Sequence, residues 1–247
     1  MSSVPGMQTT DVARSDLKYN KSQLCSLCDV RSLGICGALD QTDLLQFERL
    51  GRHVHFAAKE ALFTVGEPAG YVYNLTAGVV RLYRLLPDGR RQIIGFALPG
   101  DFLGTTAFDR YGFSADVIET VAACRVTRDA FSLFSESRPH LLRRINEFAS
   151  RELMLAYDQM LLLGQRTAKE KVATFLIGWR DRLARIGDTK KTIRLPMSRQ
   201  DIADFLGLSI ETVSRTLTAF EREKMLVIVT GGVRLLDAGR AEALAAV

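Results

Sequence analysis

From residue 53 to about 127, short runs rich in Val, Ile, Tyr and Phe alternate with turn-forming segments, GEPAG (66–70), TAG (76–78), LPDGR (86–90) and LPGD (98–101). Turn signals recurring about every ten residues predict an antiparallel sheet folded on itself as a barrel or sandwich. Asp88-Gly89, between VVRLYRLL and RRQIIGFAL, predicts a tight hairpin. Upstream, DQTDLLQFERL (40–50) sets Leu44, Phe47 and Leu50 at helical spacing.

After Arg128 the period becomes helical. Pro139 suits a first helical turn, and no Gly or Pro interrupts the chain from there to Gly164. A stripe of Phe148, Leu155 and Leu162 recurs every seven residues, with Ile145 and Met160 nearby and Asp158 on or beside it. Such a repeat predicts a dimerisation helix built on Ile145, Phe148, Leu155 and Leu162. The alternative is a long helix packed on its own sheet. A second helical stretch, about 167–185, carries Val172, Phe175, Leu176, Trp179 and Leu183.

Residues 198–224 have helix-turn-helix grammar. Ser198 is placed to cap RQDIADFL, whose Ile202, Ala203 and Leu206 form an apolar face. Gly207 stands where the chain must turn sharply. Ser209 then caps a second helix with Ile210, Val213 and Leu217 directed inward, leaving Glu211, Thr212, Ser214 and Arg215 for a groove. Those side-chain types suit base edges: arginine reads guanine, glutamate accepts from cytosine and serine bonds to either. Arg199 in the first helix joins the candidates. MLVIV, Gly231-Gly232 and VRLLD (225–237) predict a wing.

Charge supports a polyanion partner at this end. Residues 165–247 hold fifteen Lys and Arg against ten Asp and Glu, which is the whole formal net charge of +5. At 247 residues and 47% hydrophobic, the chain can build one large or two modest cores. No apolar run approaches the roughly 20 residues of a membrane span. The first twenty residues have no stretch of signal-peptide type, so 1–24 are expected to be a disordered polar leader of a cytoplasmic protein.

The four cysteines are Cys25, Cys28 and Cys36 in CSLCDVRSLGIC, and Cys124 almost ninety residues on. Four thiolates are what a [4Fe–4S] cluster needs. Zinc is the alternative, because Cys25-x2-Cys28 is also half of a common zinc site. A buried thiol with no ligand role is a further reading of Cys124. His53 and His55 alternate on a strand and read as surface or internally satisfied residues rather than as ligands.

On the four cysteines, FALPGDFLG (96–104), the MLLL run (160–163) and LGLSIETVSR (206–215), the chain resembles the cyclic-AMP receptor protein/FNR superfamily, and within it the oxygen-sensing FNR branch. The resemblance spans about residues 25–240. It implies an α+β fold: an antiparallel β-roll sensor, a long dimerisation helix and a C-terminal winged helix-turn-helix. It divides the chain into a cluster-binding loop and roll (25–137), the dimer helix (138–164) and the DNA-binding unit (165–247). It also implies a labile [4Fe–4S] cluster on Cys25, Cys28, Cys36 and Cys124, and readout of a palindromic TTGAT-type site by Glu211, Ser214 and Arg215. An acidic residue near the dimer seam would match Asp158. RNA polymerase would touch solvent-facing hairpins of the roll, with 85–91 among them.

The chain departs from the cyclic-AMP binders of that superfamily. GDFLG is followed by Thr105 and Thr106 where a Glu is expected, and Phe113-Ser114-Ala115 stands where an Arg-Ser pair would hold the cyclic phosphate; Arg110 is the one nearby cation. The expected function is a homodimeric, DNA-binding transcription regulator gated by a cluster. Gating by zinc, free thiols or a nucleotide is the alternative within the fold. An iron–sulfur enzyme is the alternative class, and the chain has no P-loop, GxGxxG or GxSxG to support it.

Overall fold

The computed structural model describes residues 25–105 and 108–246. The leader expected over 1–24, and Thr106, lie outside the described residues. The chain folds as α+β, with an antiparallel roll, a long helix and a C-terminal helical unit bearing a small sheet.

A loop from Cys25 leads through a single 3-10 turn (Ile35–Ala38) into α1 (Gln41–Leu50). Asp40 caps α1 by accepting from the Asp43 N–H at 2.8 Å. Leu44 and Phe47 are buried while Leu50 is exposed, so two of the three predicted apolar positions face inward. The roll follows: β1 (Arg52–Phe56), β2 (Ala61–Phe63), β3 (Tyr71–Leu85), β4 (Arg91–Ala97), β5 (Phe102–Leu103) and β6 (Ser114–Thr127). Its main path is β1-β6-β3-β4, with β2 on β6 and β5 on β3.

The Asp88-Gly89 hairpin forms as predicted, with Gly89 at φ +83° and the Leu86 N–H donating to Arg90 O at 2.7 Å. TAG (76–78) is not a turn. It lies inside the fifteen-residue β3, where the register against β6 shifts around Ala77 and Val79. Gly78 has φ +87° and its Cα faces the Thr120 and Glu119 carbonyls too closely for any side chain, so the glycine marks a bulge that bends the strand.

Helix α2 (Arg128–Glu136) leads to α3 (Pro139–Gln165), which opens on Pro139. After Arg166 and Thr167 comes α4 (Ala168–Arg185), started by a capping box of Thr167 and Glu170. Then follow β7 (Thr192–Arg194), α5 (Arg199–Leu206), α6 (Ile210–Arg222), β8 (Leu226–Val229), β9 (Gly232–Leu235) and α7 (Ala238–Ala245). The wing gains a strand that the sequence did not announce: β7 pairs with β9, giving the order β7-β9-β8.

One apolar core joins the roll to the C-terminal unit. Val79, Ile93, Phe96 and Leu98 pack with Phe175, Trp179, Ile202, Leu206 and Phe220. A second core fills the roll, and a third holds Ile35, Leu39, Leu44 and Phe47 against Phe131, Phe134 and Leu141. No helix among the described residues is long and apolar enough to cross a membrane.

Candidate cofactor site and nucleic-acid interface

The 25–38 loop folds over the sheet so that its thiols meet Cys124. On β6, Cys124 is paired across the strands with His53 of β1 and Asn74 of β3. Two glycines make room. Gly51, which ends α1, leaves the space that the Cys124 sulfur occupies, and Gly34 passes close over the buried Asn74 amide. Cys25, Cys36 and Cys124 are buried, Cys28 is half-buried, and none is in a disulfide.

The electrostatics are those of gathered, desolvated thiols. Burial pushes Cys25 up to about 12, with Cys124, Glu48 and Cys28 adding to the rise. Burial, then Cys28 and Glu48, pushes Cys124 up to about 11. Cys36 is raised further, by burial first and then by Cys124, Cys25 and Cys28. Glu48 also accepts from the Cys25 N–H at 3.4 Å, so a carboxylate borders the sulfur pocket. Among the described residues no three Cys, His, Asp or Glu side chains converge to hold a single metal ion. His53 and His55 are exposed.

The loop is fastened to α3. Arg144 donates to the carbonyls of Gly34 at 3.4 Å, Ser32 at 3.3 Å and Leu33 at 3.5 Å. Ile145 and Phe148 pack against the core that holds Ile35, Cys25 and Cys36. Leu162 is only 5% exposed and belongs to the core shared with α4 and α5. The predicted seven-residue stripe is therefore divided: Ile145, Phe148 and Leu162 pack within the chain, whereas Leu155 and Asp158 are exposed. Met160, noted beside the stripe, is exposed with Leu153, Met154, Tyr157 and Leu161, and those four extend the apolar face beyond the heptad reading.

The roll interior is filled by aromatic rings. Phe63 stacks on Tyr111 at 4.1 Å between centroids and lies 6.0 Å from Tyr73 and 5.7 Å from Phe113. The Tyr111 hydroxyl donates to Tyr71 O at 2.8 Å and accepts from the Tyr71 N–H at 3.1 Å. Arg110, the cation considered for a cyclic phosphate, donates instead to Gly66 O, and Arg128 donates to Phe108 O.

At the C-terminal end Ser198 and Asp201 form a reciprocal capping box, and Gly207 ends α5 in the left-handed region at φ +61°. Ser209 caps α6 through the Thr212 N–H at 3.2 Å. Ser209, Ile210, Glu211, Ser214 and Arg215 line one open groove at the start of α6. Ile210, expected inside, is 36% exposed, because it is the first residue of α6 and precedes the buried turn of Val213, Thr216 and Leu217. Glu211 is held below the ordinary carboxylate range by its own N–H and the Ser209 hydroxyl, so it is ionised at neutral pH. The Thr212 hydroxyl is engaged with Ser209 at 3.0 Å. Arg199 stands apart from the groove; it is half-buried, its Nη1 has no partner, and burial lowers its pKa.

Residues 53–137 match the family model of the cyclic nucleotide-binding domain, and residues 195–226 match that of the bacterial regulatory proteins of the crp family. The chain is 63% identical over 219 residues to the transcriptional activatory protein AadR of Rhodopseudomonas palustris, spanning 89% of this chain and 92% of that protein. It is 55% identical over 222 residues to the nitrogen fixation regulation protein FixK of Bradyrhizobium diazoefficiens, spanning 90% and 94%. The solved structure of FixK2 from Bradyrhizobium japonicum superposes with a TM-score of 0.74 at 36% identity, over 78% of this chain and 96% of that one. With a filled roll, a capped helix-turn-helix and relatives of this length and identity, the chain belongs to the CRP/FNR family of bacterial transcription regulators.

Proposed function

We propose that the protein is a homodimeric transcription activator that senses oxygen through a labile [4Fe–4S] cluster and reads a palindromic TTGAT-type operator. The observation that carries this reading is the gathering of Cys25, Cys28 and Cys36 over Cys124 from two distant parts of the chain. The donor set fits. Four gathered thiols, three of them buried and Cys28 half-buried beside them, are the ligand complement of such a cluster. The sulfur pocket is kept open by Gly51.

The rival gates fit less well. Structural zinc sites draw on two close sequence pairs of ligands, whereas Cys36 and Cys124 are single. A reactive thiol switch wants an exposed, low-pKa cysteine, whereas Cys25, Cys36 and Cys124 are buried and raised. A nucleotide would have to displace the Phe63–Tyr111 stack.

When bound, the cluster supplies an oxygen-labile cross-link between the N-terminal loop and the roll. The residues of the chain turn that link into a signal. Holding the loop in place buries Ile35 and Leu39 and presents the Ser32, Leu33 and Gly34 carbonyls to Arg144, which supports the first half of α3. Against this works Asp158: two such carboxylates facing each other across a two-fold axis repel and must lose water. Pairing through the exposed face of α3 then occurs only in the loaded form. Residues 25–137 act as sensor, 138–164 as dimer element and 165–247 as reader. Glu211, Ser214 and Arg215 contact base edges, with Thr212 shaping the helix start and Arg199 facing the phosphate backbone. The 85–91 hairpin, with Leu85 and Leu86 exposed, is offered to RNA polymerase.

Anaerobic purification tests the reading. A brown protein with about four irons and four sulfides per chain, dimeric and operator-bound, and losing all three properties in air, is expected. A colourless anaerobic protein, or one with all four cysteines replaced by serine that still pairs and binds its operator, overturns it.

A further inference from the structure

We infer that the β3–β4 hairpin and Gln159 together clamp α5 so that each subunit accepts one half-site spacing in the operator. The inference rests on the palindrome-reading function proposed above. α5 is held at both ends by side chains from outside the helix-turn-helix. At its first turn, Asp201 accepts from Arg81 at 3.1 Å and from Arg91 at 2.6 Å. Arg91 also reaches Asp204 through Nε at 2.9 Å, and Gln92 donates to the Asp204 carbonyl at 2.8 Å. At its last turn, Gln159 of α3 donates to Phe205 O at 2.7 Å, and the Phe205 ring lies 5.5 Å from that of Phe96 in β4.

These anchors come from two bodies, the roll and α3, and grip both ends of α5, which restricts its tilt. α6 follows from α5 without slack, because Gly207 turns the chain in one conformation and sits against Leu163 of α3. Asp201 is 4% exposed and Arg81 and Arg91 are largely covered, so solvent screens the pairs little. The recognition helix is thereby locked to the same α3 that would carry the dimer axis. The shared apolar core and the Arg182–Asp101 pair hold the C-terminal unit to the roll as a whole, and the clamp adds directional contacts to α5 itself. A locked pair of readers matches half-sites about 34–36 Å apart, and a hinged pair would tolerate several separations.

The test uses the full chain, loaded anaerobically, with duplexes carrying identical half-sites separated by the best spacer or by one or two base pairs more or fewer. For the wild type, binding is expected to fall at least tenfold for each base pair of error. Arg91→Ala with Gln92→Ala, and separately Gln159→Ala, are expected to flatten that profile at least fivefold. The penalty for a changed base within a half-site stays as in the wild type. A variant that is simply less stable loses affinity on every duplex alike and leaves the profile steep. Variants with the wild-type spacing profile would overturn the clamp while leaving palindrome reading intact. A wild type without preference for a palindrome would overturn both.

Discussion

A methyl group on Gly51 would stand 2.7 Å from the sulfur of Cys124. Gly51 has an ordinary backbone conformation, φ −88°, so the residue is kept small by its neighbour and not by its own torsion. Gly51→Ala is therefore expected to push Cys124 out of place. Overpacking of this kind costs about 1–3 kcal/mol. The variant should melt earlier and hold less than half the wild-type iron; normal iron content would show that the sulfur has room to move.

The raised thiols predict opposite pH trends for the two forms. A folded-state pKa above the ordinary value of 9.0 stabilises the folded protein below that value, and the contribution is lost as pH rises toward 11 and 12. The cluster-free protein should thus lose stability above about pH 9. Ligation needs thiolates, so loading releases protons and tightens as pH rises. Thermal melts of the cluster-free chain against its four-serine variant check the first trend, and iron retention from pH 7 to 9 checks the second.

Glu48 is poorly placed for an anionic guest. Its charge raises both Cys25 and Cys124, and a cluster with four thiolates is itself negative. Glu48→Gln keeps an oxygen for the Cys25 N–H and removes the charge. Iron retention against a chelator should improve several-fold; an unchanged rate would mean that solvent screens the carboxylate.

Asp158 is solvent-exposed on α3 beside Leu155, Tyr157 and Leu161. Its replacement by Ala should strengthen pairing of the cluster-free chain by about 1–2 kcal/mol, roughly 5–30-fold. Sedimentation in air measures it. Pairing no tighter than that of the wild type would detach Asp158 from the switch.

Arg215 lines the groove at the start of α6 and makes only a 3.4 Å contact with Thr212. Arg215→Ala is expected to cost about 1–3 kcal/mol on the preferred operator and to relax discrimination at one base pair. An equal loss on random duplex would reassign it to the phosphate backbone.

Features set by neighbouring residues were legible in the sequence. Ser198 and Ser209 cap their helices, Gly207 turns the chain, and Asp88-Gly89 closes the hairpin, all through contacts within a few positions. The approach of Cys124 to the other thiols followed from family likeness, since no local rule spans ninety residues. What escaped depends on packing between distant elements. TAG became a bulge because β6 continues past it, and the heptad on α3 was split because the loop and α4 cover part of its apolar surface. Nothing local in the sequence marks the partners of Arg91, Gln92 and Gln159. Only the approach of α5 gives them partners.

The tyrosines and phenylalanines at the heart of the roll have a wider consequence. A container whose middle is already occupied by its own side chains has to be repacked before a small molecule can lodge there. The stretch of backbone that carries Cys25, Cys28 and Cys36 lies apart from that packed middle, in a core of its own with α1 and α2. In the reading proposed above the signal enters there, and the roll serves as the rigid wall against which the loop is held.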